Sequence, residues 1–194
     1  MEKKQTGQKL DRQQWILVGL QVLADSGIDD VRVEPIAKLM KVTKGSFYWH
    51  FKNRDDLLVA ILQEWVNTET NGLIDRVESI GGDPAAKLLH LFELATQING
   101  RLENAMRGWA IRDPQVAAMI LVVDLDRLAY TKKLFLEVGF SPLESEIRAR
   151  MAYFSLVGEC TVGITRDDPG DESSQRSETL AAVRLEHAIL TRRD

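Results

Sequence analysis

"KVTKGSFYWHFKNRDDLL", residues 41–58, places Phe47, Tyr48, Trp49, His50 and Phe51 in an unbroken row, with Lys41 and Lys44 before it and Lys52 and Arg54 after it. A buried core disfavours that density of charge, because ions are costly to take out of water. An ordinary solvated surface has little use for so many rings. At helical spacing Phe47 and Phe51 are i and i+4 and share one face, so both read as core. Tyr48 and Trp49 point elsewhere and read as facing a partner. His50, set among cations, reads as a ligand for an anionic group rather than as a core histidine.

Outward from this stretch, helix punctuation recurs and strand signals are nearly absent. Residues from about Lys9 to Ser26 carry Trp15, Ile16, Leu20 and Leu23 at helical spacing, with Gly27 as a left-handed stop. A short helix from about Val33 to Met40 has Pro35 in its first turn, where a missing N–H costs nothing. Thr43 stands as N-cap of the next short helix. Asn53 caps a long one running to about Ser79, with Asp55 and Asp56 favouring its dipole. Asp83-Pro84 and Asp113-Pro114 each pair a cap with a first-turn proline, and Gly139 followed by Ser141, Pro142 and Glu144 closes one helix and opens another through a capping box. The polar loop "RDDPGDESSQ" separates the last two helices. The expectation is an all-α chain of nine helices.

Two short helices joined by a tight turn, the second opening Thr43-Lys44-Gly45-Ser46, describe a helix-turn-helix, whose second helix enters the major groove of DNA. Lys44 suits guanine O6 and N7, Gly45 permits close approach, and Ser46 suits a base edge. Tyr48 and His50 suit phosphate oxygens, which position without reading sequence. Arg54 adds charge at a helix amino end. Charge distribution agrees: residues 1–55 hold ten Lys/Arg against seven Asp/Glu, net +3, which leaves −7 for the remainder of a chain whose total is −4. The expected DNA-contacting set is Arg32, Glu34, Thr43, Lys44, Gly45, Ser46, Tyr48, Trp49, His50 and Arg54.

Other classes receive less support. The polar amino terminus is unlike a signal peptide, and no apolar run approaches the ~18 residues of a membrane span, so a cytoplasmic protein without a membrane partner is expected. The only cysteine, Cys160, excludes an internal disulfide and a cysteine-based zinc site. A di-iron bundle needs Glu three residues before His, yet Lys87 and Arg184 occupy those places before His90 and His187. No phosphate loop or nucleophile elbow is present. The expectation is no catalytic residue, metal or cofactor. A helical interaction module or a helical enzyme that binds no DNA is the alternative.

Residues 31–58, "VRVEPIAKLMKVTKGSFYWHFKNRDDLL", resemble the helix-turn-helix signature of the TetR family of bacterial transcriptional repressors, through Ile36-Ala37, Val42, Thr43, Gly45, Tyr48, His50, Phe51 and Leu57. "GWAIRDPQVA" at 108–117 and two terminal helices extend the likeness. Two positions depart from it: Lys41 stands where the turn usually has glycine, and Arg32, which cannot cap, stands where a Ser/Thr cap is usual. The resemblance implies DNA binding by residues 1–53, with residues 54–194 serving ligand binding and dimerisation. It implies a homodimer on double-stranded DNA and a small-molecule inducer. Ile147, Met151, Phe154, Gly158, Leu185 and Ile189 are the candidate dimer face, the alternative being burial within their own subunit. The small residues Ala149, Ala152, Cys160 and Gly163 also suit close helix approach. Trp65, Phe92, Met106 and Trp109 are candidate pocket residues, the alternative again being core.

Overall fold

The computed structural model describes residues 11–162 and 172–192, with only the backbone at 69 and 172–177. The described residues form ten α-helices and no strand: α1 Arg12–Ser26, α2 Val33–Leu39, α3 Lys44–Tyr48, α4 Arg54–Val66, α5 Gly72–Ile80, α6 Pro84–Ala95, α7 Gly100–Ala110, α8 Pro114–Val138, α9 Pro142–Val162 and α10 Glu172–Thr191. A 3-10 turn, Ile28–Asp30, lies between α1 and α2. The count exceeds nine because the long helix expected from Asn53 to Ser79 is divided by a π-helical stretch, Asn67–Asn71. There the Gly72 N–H bonds to the Asn67 carbonyl, five residues back. A Cβ on Gly72 would stand 3.2 Å from that oxygen, so the missing side chain relieves the wide turn.

The helix ends follow from local chemistry. Asp11 accepts from the Gln14 N–H while the Gln14 side chain accepts from the Asp11 N–H, a capping box that starts α1. Asp83 and Asp113 cap α6 and α8, each with proline next in the chain. Ser141 and Glu144 exchange bonds of 2.9 and 3.3 Å to start α9. Gly27 ends α1 at φ 82°, and Gly139 ends α8 at φ 105°, both on the left-handed side that glycine tolerates. Thr43 occupies the N-cap position of α3 but makes no side-chain cap bond there, and Arg32 makes none for α2.

The chain divides into two compact units, residues 1–65 and 66–194. The first extends past residue 53 because α4 supplies Leu57, Leu58, Ile61 and Trp65 to its core, beside Trp15, Leu23, Ile36, Phe47 and Phe51. Phe47 makes an edge contact with Trp15, centroids 5.2 Å apart, and stacks on Phe51 at 5.3 Å. In the second unit Leu88, Leu91 and Phe92 of α6 pack with Leu134 and Phe135 of α8, Ala149 of α9 and Leu190 of α10. Arg148 lies over the Phe140 ring at 4.0 Å and donates to the Leu190 carbonyl at 2.7 Å, tying the end of α10 to α9.

Gly19 lets α1 approach α4. A Cβ there would meet Ile61 Cδ1 at 2.5 Å and Cγ1 at 3.2 Å, and Ile61 has no exposed surface into which to retreat. Gly19→Leu is therefore expected to destabilise residues 12–66 by about 1–3 kcal/mol through overpacking, with Gly19→Ala in an Ile61→Val background costing less. Hydrogen exchange of that segment measures both.

Candidate nucleic-acid interface and ligand cavity

Helix α2 ends in a Schellman motif: the Val42 N–H bonds to the Ala37 carbonyl at 2.9 Å and the Lys41 N–H to the Lys38 carbonyl at 3.1 Å. This closure puts Lys41 at φ 56°, the position glycine usually fills, at a backbone cost of about 1 kcal/mol. In return a fourth cation stands beside Lys38, Lys44 and Lys52 on exposed surface. The turn leads into α3, a single short helix whose rotation is set by Phe47, fully buried, and by Phe51 just beyond it. With those rings inward, Lys44, Gly45, Tyr48 and Trp49 are exposed, and Ser46 and His50 are half-buried. Trp49 is 87% exposed and Tyr48 62%, too wet for core residues of that size. Tyr48 keeps its edge against Phe47 at 5.3 Å, so its ring is positioned although its face is open.

Thr43 is exposed, whereas Arg32, Glu34, Lys44 and Arg54 are engaged within the chain. Glu34 on α2 and Lys44 on α3 form an exposed ion pair, and the Lys44 ammonium, by hydrogen bond and charge, holds the Glu34 carboxyl below the usual range. Arg32 pairs with Asp30 at 3.0 Å. Arg54 is the clearest departure from expectation. Its Nε donates to the Val31 carbonyl and its Nη2 to the Ile28 carbonyl, both at 2.6 Å. The guanidinium thus satisfies backbone acceptors of the turn before α2 and anchors that turn to the start of α4. Sequence gives no cue to this, because the partners are backbone oxygens more than twenty residues away.

The second unit holds a partly open cavity of about 450 Å³. Of the four sequence-predicted pocket residues only Phe92 lines it. Trp65, Met106 and Trp109 are buried and do not line it: Trp65 belongs to the amino-terminal core, and Met106 and Trp109 sit on the inward face of α7. The walls instead include Leu73, Ile74, Leu91, Tyr130, Leu156 and Val183, with Arg127, Tyr153, Glu159, Cys160 and Glu186 as polar members. Behind one wall runs a buried polar network. Arg127 donates to both oxygens of Glu103 at 3.3 Å and to Thr70 at 3.2 Å. Arg107 bonds Glu103 at 2.7 Å and grips Asp124 through two bonds of 2.9 and 3.1 Å. The Tyr153 hydroxyl donates to Asp124 at 2.5 Å, and burial first, then that bond, pushes its phenol up to about 12. Burial also pushes the Cys160 thiol up, as do the nearby Glu103 and Glu159 carboxylates, so Cys160 is a packing residue rather than a ready nucleophile. The network joins α7, α8, α9 and the π-helical stretch, and only the Glu103–Arg107 step of four residues is visible locally.

On the outer side of α9, Leu143, Ile147, Met151 and Phe154 repeat at three- and four-residue spacing, Val162 follows two turns on, and all five are 48–69% exposed. Leu185 and Ile189 of α10 are about equally open. Gly158 lies in the same row, and a Cβ there would meet nothing within 4 Å. Ala149 is buried in its own unit, and Ala152 and Cys160 line the cavity, so these small residues do not belong to the outer row. Gly163 lies outside the described residues.

A short helix presenting cations and rings after a tight turn is the helix-turn-helix of DNA-binding proteins. Residues 16–61 match the model of the "Bacterial regulatory proteins, tetR family". It is 35% identical over 72 residues to the HTH-type transcriptional regulator AcrR of Shigella flexneri, covering 37% of this chain and 32% of that one. The match spans about a third of that relative's length. The fold extends further: the fatty acid degradation regulator FadR of Bacillus halodurans aligns over 97% of both chains with TM-score 0.69 at 22% identity. FadR of Bacillus subtilis, solved with stearoyl-CoA, aligns over 89% of this chain and 97% of its own, with TM-score 0.62 at 19% identity. No helix among the described residues is long and apolar enough to cross a membrane.

Arg54→Ala should cost roughly 1–3 kcal/mol of stability, since it strips two carbonyls of a charged donor. It should leave the salt dependence of DNA binding unchanged once the protein is folded. Denaturant unfolding and a salt titration of binding together check this; a reduced salt slope would return Arg54 to the phosphate contacts.

Proposed function

We propose that the protein is a cytoplasmic transcriptional repressor that binds a palindromic operator as a homodimer and lets go when a small molecule fills the carboxy-terminal cavity. The observation that carries this reading is the division of α3. Phe47 faces Trp15 and Phe51, while Lys44, Tyr48 and Trp49 face solvent beside Lys41. Lys44 then reads base edges, and Tyr48 and His50 hold phosphates. Leaving Glu34 for a guanine costs Lys44 little, because an exposed ion pair contributes ~0–1 kcal/mol.

The open row on α9, with Leu185 and Ile189 on α10, supports a two-fold contact in which each copy covers the other's apolar face. Such a pair presents two α3 helices to successive major grooves, about 34–36 Å apart or a multiple of that. Occupancy of the cavity lowers operator affinity only as far as the ligand prefers the arrangement that does not bind DNA.

Titration of single-base operator variants at fixed salt tests the assignment of roles. Lys44→Ala should relax preference at one or two positions, each worth about 1–3 kcal/mol, whereas Tyr48→Phe should weaken every variant by the same factor, as a phosphate contact does. A uniform loss for Lys44→Ala contradicts base reading. Assembly has its own test: Phe154→Arg, at an exposed position, should sediment as a folded monomer with little operator affinity. Wild-type protein that is monomeric at micromolar concentration would rule the dimer out.

A further inference from the structure

The proposed ligand response leaves the ligand's chemistry open, and the charges around the cavity narrow it. Arg127 is the only Lys or Arg among the described lining residues. It is 8% exposed and already committed to both oxygens of Glu103 and to Thr70. Arg107 shares Glu103 and takes Asp124, so the two guanidiniums are matched by two carboxylates. Glu159 and Glu186 are the charges left over, and neither makes an ion pair with a described residue. Burial first, then the neighbouring Glu159, pushes the Glu186 carboxyl up, so its charge is costly without a cation beside it. The rest of the wall is mainly apolar, with Leu91, Phe92 and Leu156 prominent.

We propose that the cavity takes an amphiphile with a cationic head, seated against Glu159 and Glu186, its apolar body lying along Leu91, Phe92 and Leu156. The inference rests on the ligand-responsive reading above. A cation beside Glu186 compensates for the hydration that burial removes. An anionic head meets the reverse: two unmatched carboxylates, and an arginine that must abandon Glu103, a carboxylate only 3% exposed. Glu103 would keep Arg107 but lose both bonds from Arg127, and weakening a buried ion pair is unfavourable. The fold shared with a stearoyl-CoA-binding regulator therefore does not extend to the ligand's charge.

Three probes of one chain length separate the possibilities: decyltrimethylammonium, decanol and decanoate, each below its micelle concentration, with the full-length protein in equilibrium dialysis without DNA. The expected order of affinity is ammonium, alcohol, carboxylate, with at least about a tenfold difference between the first and last. Glu186→Gln combined with Glu159→Gln should weaken the ammonium about tenfold and leave decanol unchanged. Glu159→Gln alone, at an exposed site, should give part of that loss if the double variant folds poorly. Ala152→Trp, which fills the chamber, should abolish all three. Decanoate binding tightest, or ammonium binding indifferent to the carboxylates, overturns the cationic assignment and leaves the cavity reading standing. Binding by none of the probes, or undiminished binding to Ala152→Trp, overturns both.

Discussion

The edge of Phe47 against Trp15, with Phe51 stacked behind it, determines what α3 presents to solvent. A helix of five residues has no stability of its own, because nucleation consumes most of what so few hydrogen bonds return. It exists because one ring is buried, and burying a side chain of that size contributes about 1.5–3 kcal/mol. The same burial fixes its rotation. Tyr48 and Trp49 are then outside because their neighbours are inside, and Lys44, one turn before Phe47 and Tyr48, lies at the leading edge. Specific contact with another molecule needs this constraint, since an unanchored α3 would offer its side chains in no fixed direction.

The carboxy-terminal unit has a different logic. Its apolar core joins α6, α8, α9 and α10, and two arginines and two carboxylates set beside the cavity balance one another. Removing one member would strand its partner in a poorly solvated place, which is far costlier than the intact set is stabilising. The set therefore works as a register, holding α7, α8 and α9 in one relation. Among the described lining residues, Glu159 and Glu186 are the charged ones outside this set. Outside, the row from Leu143 to Val162 is a surface too apolar and too regular for a solitary helix, and its spacing is that of one helix laid along another.

Local signals were legible in the sequence and long-range ones were not. Asp83, Asp113 and the Ser141–Glu144 pair cap helices with bonds that span two or three residues. The partition of Phe47 and Phe51 from Tyr48 and Trp49 follows from periodicity, whereas the face of α9 holding Ile147, Met151 and Phe154 was named only through the family resemblance. Thr43 shows the limit of such rules, since it has the right type and place for a cap yet makes no cap bond. The π-helical stretch escaped because Asn67–Asn71 carries no proline or glycine to mark a break, and only Gly72 after it hints at one. The partners of Arg54 escaped because a cation at a helix amino end suggests an anion, whereas here backbone carbonyls of a distant turn accept from it. The cavity was least legible of all. Its walls gather residues from position 70 to position 186, and large rings such as Met106's neighbour Trp109 fill core as readily as they line space.

The central claim is that α3 of each of two copies lies in the major groove. Methylation interference on an operator selected from random duplex DNA tests it most directly, because dimethyl sulfate modifies guanine at N7 in the major groove and adenine at N3 in the minor groove. The account predicts interference at guanine N7 in two clusters related by a two-fold axis, with centres about 34–36 Å apart or a multiple of that. Interference confined to adenine N3, or an absence of any fixed pair of clusters, would contradict it.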